Sequence, residues 1–252
     1  MMKNMEYNTY DLDHIDIVVS HKCNMNCQYC MDKFKGFDDK EIEISDIDNF
    51  LCKIRKTTNK NLEVILLGGE PTIIGSENLI VIANLIKYYG FSPIISTNGL
   101  NKSVILDILP YFDWIQITTH SDKETDYWRK INNKYHNINI KLSGDASLTY
   151  NKLRHFLDTT NDFVRRSVSM YFTSNFKELC TDKSIWILLD RLSWKRNGSY
   201  LYAFFSGTRF KRCIKGETNI IDEPSVPKLY PNGNYNKTWI NEDMDDYIKI
   251  NK

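Results

Sequence analysis

Long apolar runs are missing from this sequence. No stretch approaches the roughly 18 apolar residues of a membrane span, and the N-terminal MMKNMEYNTYDLDHIDIVV returns to charged residues too soon for a secretion signal. A cytoplasmic protein is expected. Excess charge is missing too: 33 Lys and Arg stand against 32 Asp and Glu, a net +1. Electrostatic capture of nucleic acid usually needs a strongly basic face, and the one basic run, Arg209 to Lys215, reads as a solvated loop. There is no internal repeat, no low-complexity linker and no second CxxC pair. Six cysteines in a reducing compartment do not make a disulfide framework. What is present is a chain of 252 residues with a 42% apolar share, enough for a single domain of barrel or large-sheet size.

Short β-branched runs alternate with longer amphipathic ones. Strands are expected at Ile15–Ser20, Leu62–Pro71, Pro93–Thr97, Trp114–Ser121, Asn137–Gly144, Ser167–Ser174 and Tyr200–Gly207. Helices are expected at Glu41–Lys56, Ser76–Gly90 with Ser76 and Gly90 as its caps, 102–112, Asp122–Tyr135, Thr149–Asn161 and Glu178–Arg196. Beyond 207 turn formers dominate and an irregular cap is expected. Such alternation argues for a parallel α/β sheet with right-handed crossovers, either an open doubly wound sheet or a barrel. In both, ligands gather at the C-terminal ends of the strands. The cysteine loop, Gly68-Gly69-Glu70, Asn98-Gly99, Thr119-His120-Ser121 and Ser143-Gly144 should therefore meet on one rim.

The stretch HKCNMNCQYC puts Cys23, Cys27 and Cys30 within eight positions. A tight cysteine cluster in a cytosolic chain suggests metal or redox chemistry. Structural zinc takes four ligands. His21 lies closer to Cys23 than usual ligand spacing, and Cys52, Cys180 and Cys213 are far away. A four-iron cluster also normally takes four thiolates; with three, one iron keeps an open coordination position, which is where a substrate or cofactor can bind. On the residues alone, both a zinc module and an iron–sulfur centre stay open.

Cys23-x3-Cys27-x2-Cys30 directly after a first strand, with the aromatic Tyr29 before the third cysteine, resembles the signature of radical S-adenosylmethionine (SAM) enzymes. Gly68-Gly69-Glu70-Pro71 resembles that family's GGEP motif, and Ser96-Thr97-Asn98-Gly99 its third-strand STNG. Ile117 to Ser121 occupies the place of the fourth-strand segment, with Thr118 where a serine near the SAM ribose is frequent and His120 where an aspartate is common. Ile140 to Gly144 matches the fifth-strand motif in part, its first glycine being replaced.

The resemblance covers about residues 14 to 205. It implies a partial (β/α)6 TIM-like barrel at 14–207, preceded by a segment at 1–13 and followed by an irregular cap at 208–252. It further implies a 4Fe–4S cluster on Cys23, Cys27 and Cys30, with SAM on the open iron. An electron donor such as flavodoxin or ferredoxin would drive cleavage of SAM to methionine and a 5′-deoxyadenosyl radical, which abstracts hydrogen from the substrate. The implied cofactor contacts are Gly68, Gly69 and Glu70 at the SAM amino group, Thr118 at the ribose and Tyr29 at the adenine, with Asn98, His120 and Ser143 also in the cofactor site. Only Cys180 and Cys213 follow the barrel's midpoint, so no second cluster is expected. A nucleoside- or amino-acid-like small molecule fits the compact chain; a ribosomal peptide or a glycyl-radical partner enzyme are the alternatives. Tyr230, Tyr235 and Trp239 would either cover the substrate or pack the barrel rim. No residue acting on the substrate is identified.

Overall fold

Seven parallel strands stand side by side in chain order: β1 (His14–Ser20), β2 (Glu63–Gly68), β3 (Ser92–Thr97), β4 (Trp114–Thr118), β5 (Ile138–Asp145), β6 (Arg165–Phe172) and β7 (Ser199–Phe205). The computed structural model describes residues 14–27, 40–145, 150–163, 165–172, 199–205, 208–213, 220–222 and 228–236. Tyr29, Cys30, Cys180, Trp239, the segment 1–13 and the helix expected at Glu178–Arg196 lie outside them. Helices α1 (Ile44–Thr57), α2 (Gly75–Tyr88), α3 (Lys102–Ile108), α4 (Asp122–Tyr135) and α5 (Tyr150–Thr159) make the crossovers among the first six strands. No helix among the described residues is long and apolar enough to cross a membrane.

The two faces of the sheet carry different chemistry. One set of alternating side chains, including Ile15, Ile17, Leu66, Ile95, Ile117 and Ile140, packs under the helices against Leu51, Ile82, Ile105 and Trp128 in one continuous core. The other set turns inward. Arg165 on β6 bonds Glu63 on β2 at 3.1 Å and lies over the Trp114 ring on β4 at 4.1 Å. Strands that far apart in the sheet touch only if it curls, so the sheet forms a partial barrel with this trio across its floor. It stays open: among the described residues its two edge strands do not pair with each other.

Local chemistry sets the element ends. α4 has the expected bounds because Ser121 accepts the Glu124 N–H while the Glu124 carboxylate reaches back to the His120 N–H, a variant of the capping box. α2 differs from expectation. It follows directly on a 3-10 turn at Pro71–Ile74 that Glu70 caps by accepting from the Thr72 N–H, and α2 itself has no side-chain cap where Ser76 was expected to supply one. Gly90 does close α2, one residue past the C-cap at φ +71, with its N–H on the Lys87 carbonyl.

The region after 207, expected to be irregular, also contains short strands. β8 (Thr208–Cys213) and β9 (Ile220–Asp222) extend the sheet antiparallel beyond β7. β10 (Lys228–Leu229) lies parallel beside β1, with β11 (Tyr235–Asn236) antiparallel beyond it. Edge strands expose unpaired backbone groups, and these additions cover both edges of the seven-strand sheet.

Candidate active site at the C-terminal rim

The cysteine loop leaves β1 at Ser20 and is held by the turn after β2. The Gly69 N–H donates to the Ser20 carbonyl at 2.9 Å and the Glu70 N–H to the Lys22 carbonyl at 2.8 Å. This contact explains both glycines. A Cβ on Gly68 would sit closer than 3.0 Å to the Ser20 oxygen, and Gly68 also has φ +146. A Cβ on Gly69 would come closer than 3.0 Å to the carbonyl oxygens of both His21 and Lys22. The sequence suggested glycines that admit a ligand; the structure shows glycines that admit the backbone of the cysteine loop.

Glu70 is 1% exposed. One carboxylate oxygen accepts from the Thr72 N–H at 3.1 Å and from the hydroxyls of Thr72 and Thr97, each at 2.6 Å. The other accepts from the Asn98 N–H at 2.7 Å. A closed circuit runs through this carboxylate. Asn98 donates its side-chain amide to Asn24 Oδ1 at 2.7 Å, Asn24 donates to Asn101 Oδ1 at 3.3 Å, and Asn101 donates to Thr72 Oγ1 at 2.8 Å. Asn98 Oδ1 also accepts from the Leu100 N–H. Three rim segments, the cysteine loop, the GGEP turn and the turn after β3, are thereby tied together. Asn24, Thr72 and Asn101 have no counterpart among the sequence expectations.

Cys23 is exposed and Cys27 half-buried, neither in a disulfide, and the Met25 N–H points at Cys23 Sγ at 3.4 Å. Among the described residues no group of three or more metal-ligating side chains is assembled; the third cysteine of the motif lies outside them. Thr118 ends β4 and Ser143 lies on β5, both half-buried and on the inward-facing alternation. His120 is exposed at the rim with its backbone N–H on Glu124. Lys141, two residues before Ser143, pairs in register with Thr118. Burial lowers its ammonium from 10.5 to about 8, with Asp16 across the barrel pulling the other way. Lys141 was legible: Asn139, Lys141 and Ser143 interrupt a strand whose parallel, covered setting favours a continuous apolar run.

The family model described as the Radical SAM superfamily matches residues 17–142, half of the chain. No match was found among curated proteins. Among solved structures, Streptococcus suis SuiB bound to S-adenosylmethionine is similar at a TM-score of 0.59 and 16% identity, covering 89% of this chain and 60% of that one. SuiB bound to its precursor peptide SuiA gives 0.59, 15%, 89% and 59%. Native anSMEcpe with bound AdoMet and the Cp18Cys peptide gives 0.54, 15%, 74% and 63%. The chain thus spans under two thirds of these proteins, and identity this low establishes likeness of fold. The match over half the sequence, on a partial barrel whose cysteine loop sits at the C-terminal rim, means that this chain belongs to the radical SAM superfamily, with SAM and a 4Fe–4S cluster as its cofactors.

Proposed function

We propose that the rim is an active site in which Cys23, Cys27 and Cys30 hold a 4Fe–4S cluster and SAM is cleaved reductively for hydrogen abstraction from a nucleoside- or amino-acid-like small molecule. The observation that carries this reading is the clamp between the two motifs: two hydrogen bonds and two glycines press the GGEP turn onto the cysteine loop. The donor set fits the cluster, since soft thiolates with an N–H aimed at one sulfur suit iron–sulfur ligation. When bound, the cluster and SAM supply one electron and the 5′-deoxyadenosyl radical.

The residues of the chain hold and orient. The carboxylate of Glu70 is consumed by protein donors, so its part is to fix the turn, leaving the backbone of Gly68 to Glu70 for the SAM amino group. Thr118 and Ser143 lie on the inward-facing alternation of β4 and β5, and Thr118 would hold the ribose of SAM. Tyr29 is assigned to the adenine, Asn98 to support of the rim, and His120 to its exposed outer edge. Flavodoxin or ferredoxin is the expected electron donor. A peptide substrate is the second reading; it is favoured by the likeness to SuiB, solved with SuiA, and to anSMEcpe, solved with the Cp18Cys peptide.

The test is anaerobic reconstitution with iron and sulfide, then dithionite and SAM. Formation of 5′-deoxyadenosine supports the reading. A stable colourless zinc protein that yields none overturns it.

A further inference from the structure

β5 places polar side chains on the inward face of the barrel. Ile138 and Ile140 enter the helix-facing core, so the alternating Asn139 and Lys141 face the lumen. The Glu63–Arg165–Trp114 trio closes the floor below. Across the lumen Asp16 forms an ion pair with Lys228 at 3.2 Å, with side chains only 4% and 2% exposed. The C-terminal segment delivers that lysine: β10 runs beside β1 with Lys228 opposite Asp16.

Lys141 stands apart from this ion pair among the described residues. Asp16 feels both ammonium groups. Its ion-pair partner is Lys228, and Lys141 has no anion within ion-pair distance among the described residues. Two further polar atoms, Asn139 Oδ1 and the Tyr230 hydroxyl, are buried with no hydrogen-bond partner among those residues. Tyr230 follows Lys228 by two positions, and its N–H on the Asn234 carbonyl continues the hairpin ladder, which puts its ring on the same face as Lys228. A buried polar atom without a partner pays its desolvation with no bond in return, so each calls for an occupant.

We propose that the lumen is a substrate pocket that selects a carboxylate next to an N–H, the pattern of an N-acylated amino acid. The carboxylate takes the Lys141 ammonium and the Tyr230 hydroxyl, and the N–H donates to Asn139 Oδ1. The radical SAM reading of the rim enters only in calling this ligand a substrate.

The probes are N-acetylalanine, its neutral amide, a tetrapeptide with a free C-terminus, and SAM, each added to the full-length protein. The readout is the rate of Lys141 acetylation by acetic anhydride, followed by peptide mass spectrometry. N-acetylalanine at about four times its Kd slows labelling about fivefold, and the amide leaves it unchanged. Tyr230→Phe weakens this protection, and Lys141→Arg retains binding by ligand-observed NMR where Lys141→Met loses it. Stronger protection by the tetrapeptide identifies a peptide end as the source of the carboxylate; weaker protection identifies a free small molecule. Equal protection by acid and amide, or none by either, overturns the proposal. So does protection by SAM in the reconstituted protein together with loss of SAM binding in Lys141→Met, which would give the charge to the cofactor. Failure of the rim reading is seen separately, as absent 5′-deoxyadenosine with carboxylate protection intact.

Discussion

Changing Glu70 to glutamine keeps the shape of the side chain and removes its charge. The carboxylate receives four hydrogen bonds inside the protein. Its two hydroxyl donors cannot turn away, because Thr72 Oγ1 already accepts from Asn101 at 2.8 Å and Thr97 Oγ1 from the Gly99 N–H at 3.2 Å. Glutamine retains one acceptor oxygen, for Thr72 and Thr97. Its amide nitrogen then faces the Asn98 N–H, donor against donor. Three bonds fall from charge-assisted to neutral at about 1 kcal/mol each, and the orphaned N–H groups cost about 1–3 kcal/mol more. Relief from burying a carboxylate offsets part of this. The net is about 3 kcal/mol, which for a chain of this size lowers Tm by about 6–12 °C. The assay is thermal unfolding of the cluster-free protein, wild type against Glu70→Gln. Melting within about 2 °C of wild type, under 1 kcal/mol at this size, would refute the carboxylate as the hub of the rim.

Three further outcomes follow from the same geometry. Gly69→Ala drives a Cβ into two backbone carbonyls of the cysteine loop and abolishes iron uptake on reconstitution. Gly75→Ala meets nothing within 4 Å and suffers only from φ +84; it costs about 1–3 kcal/mol of stability and leaves iron uptake intact, so iron content per chain separates the two. Asn24→Ala opens the amide circuit and speeds hydrogen exchange of residues 21–27 in the cluster-free protein; because Asn24 is exposed, melting changes by less than about 1 kcal/mol. Lys141, at about 8 in the fold against 10.5 in the open chain, is protonated more readily when unfolded. Stability therefore rises with pH between those values, and urea titrations across that range show the rise flattened in Lys141→Met.

The residues that made the fold legible act locally. Alternation of apolar side chains marks the strands, and Ser121 with Glu124 fixes the start of α4 to the residue. The parallel order then brings the segments after β1 to β4 to one rim, as expected, while Ser143 and Gly144, expected after the fifth strand, lie within β5. What stayed hidden depends on distant partners. Asn24 lies 74 and 77 residues from the two asparagines it bonds, and no local pattern announces such a pair. The role of Gly68 and Gly69 was invisible for the same reason, since the atoms they make room for belong to Ser20, His21 and Lys22. Lys228 reads as a charged residue in a turn-rich tail. Only the register of β10 against β1 turns it into the buried partner of Asp16.

Electron paramagnetic resonance of the reduced, reconstituted protein, with and without SAM, tests the three-cysteine site most directly. The account predicts a 4Fe–4S signal whose g values move on adding SAM, because SAM occupies the iron that no cysteine holds, and no such signal in Cys27→Ala. A signal indifferent to SAM, or one that survives Cys27→Ala unchanged, would contradict it.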